Sequence, residues 1–311
     1  MEQTQKQQES ETECTQKRSV LRKIIFACIA LIAFVILCTV APIAYNNISL
    51  WSDESFAEKL DLAISRGEKW IEDNRQVILK EKNVALITML RECDDLKPNP
   101  AFKGIVVAFI NEPMTHYSRC WKTEVDPNHP INEFELRRAI REDYIDNKWA
   151  LYAVAPNKAG VSPEELGLFD QDRWHRRQLT HQLFALTMLR DRHGSAELSD
   201  EDMDKLIEHL CNRLNTDSTF SVPVVDIYIQ RVTFVLRAGL PQGVRRRWVE
   251  RIIANQQPAG GWNDRWLCFT TVRRKPNFSF SHTPSDQHAT VQAVLALYLV
   301  KYRYPDRFGL R

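Results

Sequence analysis

The feature that most constrains this chain is an uncharged, apolar run that extends from Ile24 to Tyr45. As a helix rising about 1.5 Å per residue, the run is about 33 Å long, enough to cross a hydrocarbon core of about 30 Å. The run therefore predicts a single transmembrane anchor at residues 24–45. A cleaved signal peptide is the alternative, but Pro42 would lie within or directly after the available cleavage motifs, which favours an uncleaved anchor.

The residues on either side of the anchor predict its orientation. Residues 1–23 are polar and show no apolar periodicity, which is typical of a disordered tail. Four basic residues lie near the end of this tail: Lys17, Arg18, Arg22 and Lys23. The first charges after the anchor are Asp53 and Glu54. The positive-inside rule therefore predicts a cytoplasmic tail and an exported region, residues 46–311.

Composition excludes several classes of protein. The 311 residues include 42 Lys plus Arg and 40 Asp plus Glu, a formal net charge of +2. So small an excess gives no electrostatic basis for nucleic-acid binding. A mean hydropathy of −0.38 excludes a protein with many transmembrane helices. With ten Gly and fourteen Pro, the chain is neither collagen-like nor a low-complexity polymer.

The exported region shows apolar residues at helical spacing almost throughout, interrupted by short loops with Pro or Gly. This pattern predicts about ten helices and an all-α fold. The segment Gly104–Ile110 is rich in β-branched residues, so a short strand is the alternative to a helix there. No Gly- or Ser-rich linker divides the region, so we expect one domain. Paired helices of this length commonly close into an α/α barrel or stack as a solenoid.

The cysteines leave two possibilities open. Cys14 lies in the tail, and Cys28 and Cys38 lie in the anchor. The exported region contains four more: Cys93, Cys120, Cys211 and Cys268. In an oxidising compartment these four can form two disulfides, by three connectivities, or they can remain buried free thiols.

The most specific segment follows a helix and contains a double-glycine turn. Gln256 ends the helix, Gly260 and Gly261 form the turn, and Trp262 follows. Glycine adopts the positive φ angles that a tight corner needs. We expect the Gln256 amide to tie free carbonyls at one helix end to free amides at the next start. We expect Trp262 to cover the corner.

This segment resembles the α/α-toroid superfamily of terpenoid cyclases and protein prenyltransferases. Gln256, Gly260 and Trp262 match the repeated Q-x₃-G-x-W element of that superfamily, and His288 with Thr290 resembles the His-Thr helix start of prenyltransferase β-subunits. The resemblance covers residues 174–305. It implies a toroid of helical hairpins in the exported region, but Q-x₃-G-x-W indicates the fold and no particular reaction.

The chain departs from the catalytic members of that superfamily. Asp200 and Asp202 are the nearest match to the acidic motif of squalene cyclases, but they stand where a helix begins and predict a cap. Prenyltransferases hold zinc through Asp-x-Cys and a distant His. Here the nearest set is Asp264, Cys268 and His288, with different spacing. Zinc accepts all three ligand types, so these residues are a candidate metal site and zinc is the candidate cofactor.

Two histidines are the candidate catalytic residues, because imidazole titrates near neutral pH. His288 and His181 both stand near helix starts. If both helices belong to the inner layer of a toroid, the two side chains should border one concave pocket with aromatic walls. The alternative for each is a structural hydrogen bond.

Four further residues are candidates for substrate binding: Trp262, Tyr228, Asp226 and Asp286. Aromatic faces can hold a carbocation or a sugar ring, although core packing is the alternative for both aromatic residues. The two aspartates precede apolar helical runs, where capping is the alternative.

Every motif recognised in the sequence thus indicates a fold, and none supplies a complete set of catalytic residues. The sequence predicts a membrane-anchored, extracytoplasmic module that binds or scaffolds a protein, glycan or lipid. The alternative is a membrane-anchored enzyme, a glycan hydrolase or lyase or an isoprenoid-type enzyme, with His288 and His181 as acid and base or as metal ligands. Fold analogy alone does not decide between them.

Overall fold

The computed structural model describes residues 2–112, 116–126, 128–142, 145–170, 176–192, 198–221, 224–263 and 285–310. Contacts divide the chain into two units, Met1–Ile48 and Ser49–Arg311. Within the described residues every regular element is a helix, and only an isolated bridge between Trp262 and Asp286 has β geometry. The all-α prediction is confirmed.

The first unit contains one helix, α1, Glu2–Asn47. Its part Arg22–Asn47 is long and apolar enough to cross a membrane, with a mean hydropathy of 3.1. The predicted span 24–45 lies within this part. Residues 2–23 have helical backbone, where their composition predicted a disordered tail. No Pro or Gly precedes Pro42, and Gln, Glu and Lys are good helix formers, so no residue terminates the helix earlier.

The described residues of the second unit form these helices: α2 Asp53–Asp73, α3 Arg75–Glu81, α4 Val84–Leu96, α5 Pro100–Asn111, α6 His116–Trp121, α7 Glu133–Glu142, α8 Ile145–Val154, α9 Pro156–Ala159, α10 Arg176–Arg192, α11 Asp200–Phe220, α12 Asp226–Arg237, α13 Arg246–Ala254 and α14 Gln287–Tyr298. Gly104–Ile110 lies within α5 and is helical. Asn99 caps α5 and Pro100 occupies its first turn, so the local start signals override the β-branched run.

Nine of these helices are of two kinds. Four of them, α2, α5, α7 and α11, bury one face and expose the other. Five others are buried over most of their circumference: α4, α8, α10, α12 and α14. The short helix α13 is also buried from Arg247 to Ile253 and packs on α2, α12 and α14. In α14, for example, every side chain from Ala289 to Tyr298 is buried. A helix that is apolar all round belongs in the interior of a domain.

The five buried helices contact one another in a fixed order. α8 packs on α10, α10 on α12, α12 on α14, and α14 on α4. The one-sided helices cover them: α7 packs on α8, α11 on α10 and α12, α2 on α14, and α5 on α4. The apolar stripe of each one-sided helix is thereby buried against a helix of the other kind.

The predicted corner after α13 forms as a tight turn. Gly260 has φ +98°, and a Cβ there would overlap the Arg66 carbonyl oxygen. The Gln256 amide donates to the carbonyls of Ala63 and Gly260, both at 2.8 Å. We expected this amide to link carbonyls to backbone amides. Instead both bonds go to carbonyls, because Nε2 carries two hydrogens and two carbonyls lie within its reach.

The cysteines described in the second unit are free. Cys93, Cys120 and Cys211 are buried and form no disulfide. Burial raises the pKa of the Cys120 thiol to about 11 and that of Cys211 to about 12. These thiols are therefore neutral and unreactive near neutral pH. Cys14 and Cys268 lie outside the residues whose side chains the structure describes.

Candidate functional site

The five buried helices enclose a cavity of about 510 Å³. Each contributes a pair of residues, the second three or four positions after the first, so that both lie on one face of the helix. The first members lie within the first two turns of their helices: Ala85, Asn147, His181, Gln230 and His288. The second members are Met89, Ala150, Phe184, Phe234 and Gln292. The starts of the five helices therefore meet at one cavity.

The two sets differ in chemistry. We call the first members the rim and the second members the floor. Except for Ala85 the rim is polar, whereas the floor is apolar except for Gln292. Trp121 also lines the cavity, and the stacked rings of Phe184 and Phe234 lie 5.2 Å apart. Charged residues near the end of α3 complete the lining: Lys80, Glu81 and Lys82. The cavity thus offers polar groups at one level and an apolar surface one helical turn away.

His288 is the best-defined polar group of the rim. Its backbone amide and that of Ala289 donate to Asp286 Oδ1, at 2.8 and 3.1 Å, so Asp286 caps α14 and fixes where His288 stands. The ring Nδ1 lies 2.7 Å from Asp226 Oδ1, at the first turn of α12. A carboxylate only accepts, so Nδ1 carries the proton in this bond. Nε2 is then the nitrogen that can take or give a proton.

The surroundings of His288 favour its protonated form. Desolvation by burial lowers its pKa, but the hydrogen bond that His288 donates to Asp226 and the negative charges of Asp226, Asp286 and Glu81 together outweigh this effect. The net result is a pKa above the ordinary value of histidine. An imidazole with a carboxylate partner is a common arrangement for a general acid or base.

Gln292 lies one turn after His288 on α14 and is fully buried. Its Nε2 lies 3.1 Å from Nδ1 and 3.2 Å from Nε2 of the His288 ring. Its Oε1 is buried and accepts no hydrogen bond from the described residues. No motif identified this residue, because a lone Gln in an apolar helix is unremarkable. Its spacing four residues after a candidate histidine was the available signal.

His181 borders the same cavity as His288, from α10. The prediction of one concave pocket bordered by both histidines, with aromatic walls, is confirmed. The residues on either side of His181 hold α10 in place. Thr180 Oγ1 donates to Gln230 Oε1 at 2.5 Å. Gln182 Nε2 donates to the carbonyls of Leu168 and Asp170, at 2.7 and 2.8 Å. These bonds fix the position from which His181 faces the cavity.

The structure places the predicted aromatic binding residues in the packed interior. Trp262 is 1% exposed, and its Nε1 donates to the Ile252 carbonyl at 2.7 Å. Tyr228 is fully buried beneath the Arg251 guanidinium, which lies 4.9 Å from its ring. Neither lines the cavity. Both side chains therefore lie in the packed core, which was the alternative to a role in substrate binding.

The two predicted aspartates have different positions. Asp286 caps α14, as the alternative reading proposed. Asp226 makes no cap for α12, whose N-cap residue is Val225. Its carboxylate instead binds His288, and nothing in the sequence pairs residues so far apart.

The candidate zinc ligands Asp264 and Cys268 lie outside the described residues. Within the described part of the chain, no three His, Cys, Asp or Glu side chains come together as a metal-binding group. His288 Nδ1 is committed to Asp226. The geometry of the described residues therefore builds a His–Asp pair and gives no basis for a step that involves zinc.

Compared with known proteins, the chain matches no family model, and neither the curated proteins nor the solved structures give a match. The function must therefore be inferred from the site itself.

Proposed function

We propose that the unit Ser49–Arg311 is an α/α toroid in which α8, α10, α12, α14 and α4 are the inner helices. Their order of contact and the covering by one-sided helices support this arrangement. So does the meeting of their starts at one cavity, because the inner helices of a toroid run in the same direction. The corner at Gln256–Trp262 supports the same proposal.

We further propose that this unit is a module that binds a small ligand, or part of a glycan or lipid, in the cavity. The observation that carries the proposal is the cavity itself, about 510 Å³, with a polar rim above an apolar floor. Ligand sites commonly have this size and this mixture of an apolar wall with a few fixed polar groups.

The module is anchored in a membrane through residues 24–45, with the tail in the cytoplasm and the binding unit exported. The length and hydropathy of Arg22–Asn47 support the anchor. The basic residues before the span and the acidic residues after it support the orientation.

A second candidate function, an enzyme, is favoured by one observation. His288 Nδ1 is held by Asp226 at 2.7 Å while the same ring borders the cavity. An imidazole held in this way can take a proton from a bound hydroxyl or water through Nε2 and return it later. In this second function His288 is the acid and base, Asp226 orients it, and His181 is a further polar group across the cavity.

The binding function is tested by filling the cavity. Ala150 belongs to the floor, and Ala150→Trp should occupy much of the space beside Phe184. The matched control is Ala254→Trp, at an exposed position at the end of α13. The full chain in detergent micelles is screened by ligand-observed NMR against monosaccharides, aromatic alcohols and short-chain lipids.

We expect at least one compound to bind the wild type and the Ala254→Trp protein and to lose binding in Ala150→Trp. Both variants must keep a cooperative thermal transition. If no compound binds in a manner that depends on Ala150, the binding function is wrong. Conversion of a bound compound into product, abolished by Asp226→Asn with binding retained, would establish the enzyme instead.

A further inference from the structure

The floor of the cavity is closed to solvent. Each of its five side chains is at most 4% exposed: Met89, Ala150, Phe184, Phe234 and Gln292. These side chains nevertheless border a space of about 510 Å³. A ligand cannot reach the floor from outside in this conformation, so part of the wall must move to admit it.

Most of the wall is held in place by contacts between helices. The starts of α10 and α12 are joined by the hydrogen bond from Thr180 to Gln230, and those of α12 and α14 by the contact of Asp226 with His288. Outside the five buried helices, Trp121 contributes to the wall, but it is 4% exposed and its ring is stacked against the floor. None of these parts can move without repacking of the interior.

A further part of the wall consists of Lys80, Glu81 and Lys82, which we call the lid. Leu79 before them is buried, and Asn83 after them is fixed as the N-cap of α4. Within the lid, Lys80 and Glu81 are exposed and Lys82 is half-buried. Movement of the lid would therefore disturb little of the packed interior.

The backbone of the lid contains a strained residue. Lys82 has φ +54° and is the one non-glycine residue with a positive φ in the described part of the chain. This left-handed conformation is unfavourable for a residue that carries a Cβ. Local backbone preference therefore does not hold the lid closed, and Lys82 is a point at which the chain can turn.

A hydrogen bond between two side chains fastens the closed lid. Gln287 Nε2 donates to Glu81 Oε1. Gln287 is the first residue of α14 and directly precedes His288, so this bond ties the lid to the rim of the cavity. The bond lies at the surface, where water competes for both groups, so it can break and form again at modest cost.

We propose that the lid opens when the bond between Gln287 and Glu81 breaks, turns at Lys82, and so admits a ligand to the floor of the cavity. This inference rests on the proposed binding function and adds how access to the cavity is controlled. Lids of this kind turn at a few loop or helix-end residues and exclude water from a bound ligand. The rim and the floor stay intact on opening, because the five buried helices keep their contacts.

The test measures access to the floor through a reactive thiol. Ala150→Cys places a thiol in the floor, and water-soluble N-ethylmaleimide modifies it when the lid is open. The rate of modification is measured on the full chain in micelles, by mass spectrometry of the peptide that contains residue 150. Three proteins are compared: Ala150→Cys alone, Ala150→Cys with Gln287→Ala, and Ala150→Cys with the control Gln76→Ala, at an exposed position in α3.

We expect Gln287→Ala to raise the rate at residue 150 about fivefold, which corresponds to the loss of one such hydrogen bond. Gln76→Ala should leave the rate unchanged. Cys211 is buried and does not line the cavity, so its modification reports unfolding of the whole unit. It should react at the same slow rate in all three proteins.

Equal rates at residue 150 in the three proteins would overturn the inference. A parallel rise at Cys211 would also overturn it, because the whole fold and not the lid would then have loosened. Met89→Cys places the thiol in the floor from a different helix. It repeats the comparison if Ala150→Cys does not fold.

The inference and the binding function fail in distinguishable ways, because the labelling needs no ligand. If the rate does not depend on Gln287 but compounds bind in a manner that depends on Ala150, the inference about the lid is wrong and the binding function stands. If the rate depends on Gln287 and no compound binds in that manner, the lid is confirmed and the binding function is wrong.

Discussion

His288 Nδ1 lies 2.7 Å from Asp226 Oδ1, although the two residues are 62 positions apart in the chain. The contact joins the first turns of α14 and α12 at the edge of the cavity. Each partner is about 30% exposed, at 31% and 28%. The pair therefore reports directly on the ionisation of the site and on the packing of the two helices.

The first prediction concerns the ionisation of His288. Burial lowers its pKa and Asp226 raises it, with a net increase. Asp226→Asn removes the negative charge but keeps the shape of the side chain, so the effect of burial should dominate and the pKa should fall. NMR titration of ¹³C-labelled histidine in the full chain measures this. A pKa that is unchanged in Asp226→Asn would mean that the contact does not form in solution.

The second prediction follows for stability against pH. The pKa of His288 is higher in the folded protein than the value of about 6.5 for an unfolded chain. The charged pair therefore stabilises the fold fully below that pH, and the contribution is lost as pH rises through the folded pKa. Below pH 6.5 the melting temperature of Asp226→Asn should be lower than that of the wild type. As the pH rises above the pKa of His288, the two melting temperatures should converge. A constant difference across this range would contradict the prediction.

The sequence predicted the rim of the cavity better than the floor. His181 and His288 were identified because a titratable ring near a helix start is distinctive, and both border the cavity. Phe184, Phe234 and Gln292 were missed, because apolar helical spacing identifies buried residues without saying which of them faces a cavity. That distinction depends on how five helices pack together, which is a tertiary property.

The corner residues show the same division between local and tertiary information. The turn at Gly260 was predictable, because the double glycine and the preceding Gln are local signals. The partners of Gln256 were not, since Ala63 lies in α2, 193 residues earlier in the chain. Likewise Asp226 looked like a helix cap, and only the packing of α12 on α14 brings it to His288.

The third prediction tests the corner with matched glycine substitutions. Gly260→Ala places a Cβ against the Arg66 carbonyl at φ +98°, and should destabilise the fold by more than about 1 kcal/mol. Gly104→Ala, inside α5 with no neighbour within 4 Å of the new Cβ, should stabilise it by about 0.5–1 kcal/mol. Thermal unfolding of both variants measures the difference. Equal transitions would exclude the tight corner.

The fourth prediction concerns orientation. The basic residues before the span and the acidic start after it predict that the C-terminus lies outside the cytoplasm. A reporter that is active only after export, fused after residue 311, should be active. A reporter that is active only in the cytoplasm should be inactive at the same point and active at the N-terminus. The reverse pattern would overturn the proposed location of the binding unit.

The last prediction concerns a buried ion pair that joins α12 to α4. Arg237 Nη2 lies 2.8 Å from Glu92 Oε1, its Nε lies 2.9 and 3.0 Å from the two carboxylate oxygens, and the guanidinium also lies 4.9 Å from the Phe184 ring. Its side chain is 8% exposed, so removal of Glu92 leaves a charge that water barely reaches. Glu92→Leu alone should therefore cost about 3–5 kcal/mol of unfolding free energy.

Replacing both partners gives the discriminating comparison. The double variant Glu92→Leu with Arg237→Met leaves no charge without a partner, so it should be more stable than Glu92→Leu alone. Thermal unfolding of the wild type, both single variants and the double variant forms a complete cycle. Since Phe184 belongs to the cavity floor and lies beside Arg237, the double variant also tests whether this pair holds the floor in place. Additive effects of the two substitutions would show that the pair contributes no coupling between α12 and α4.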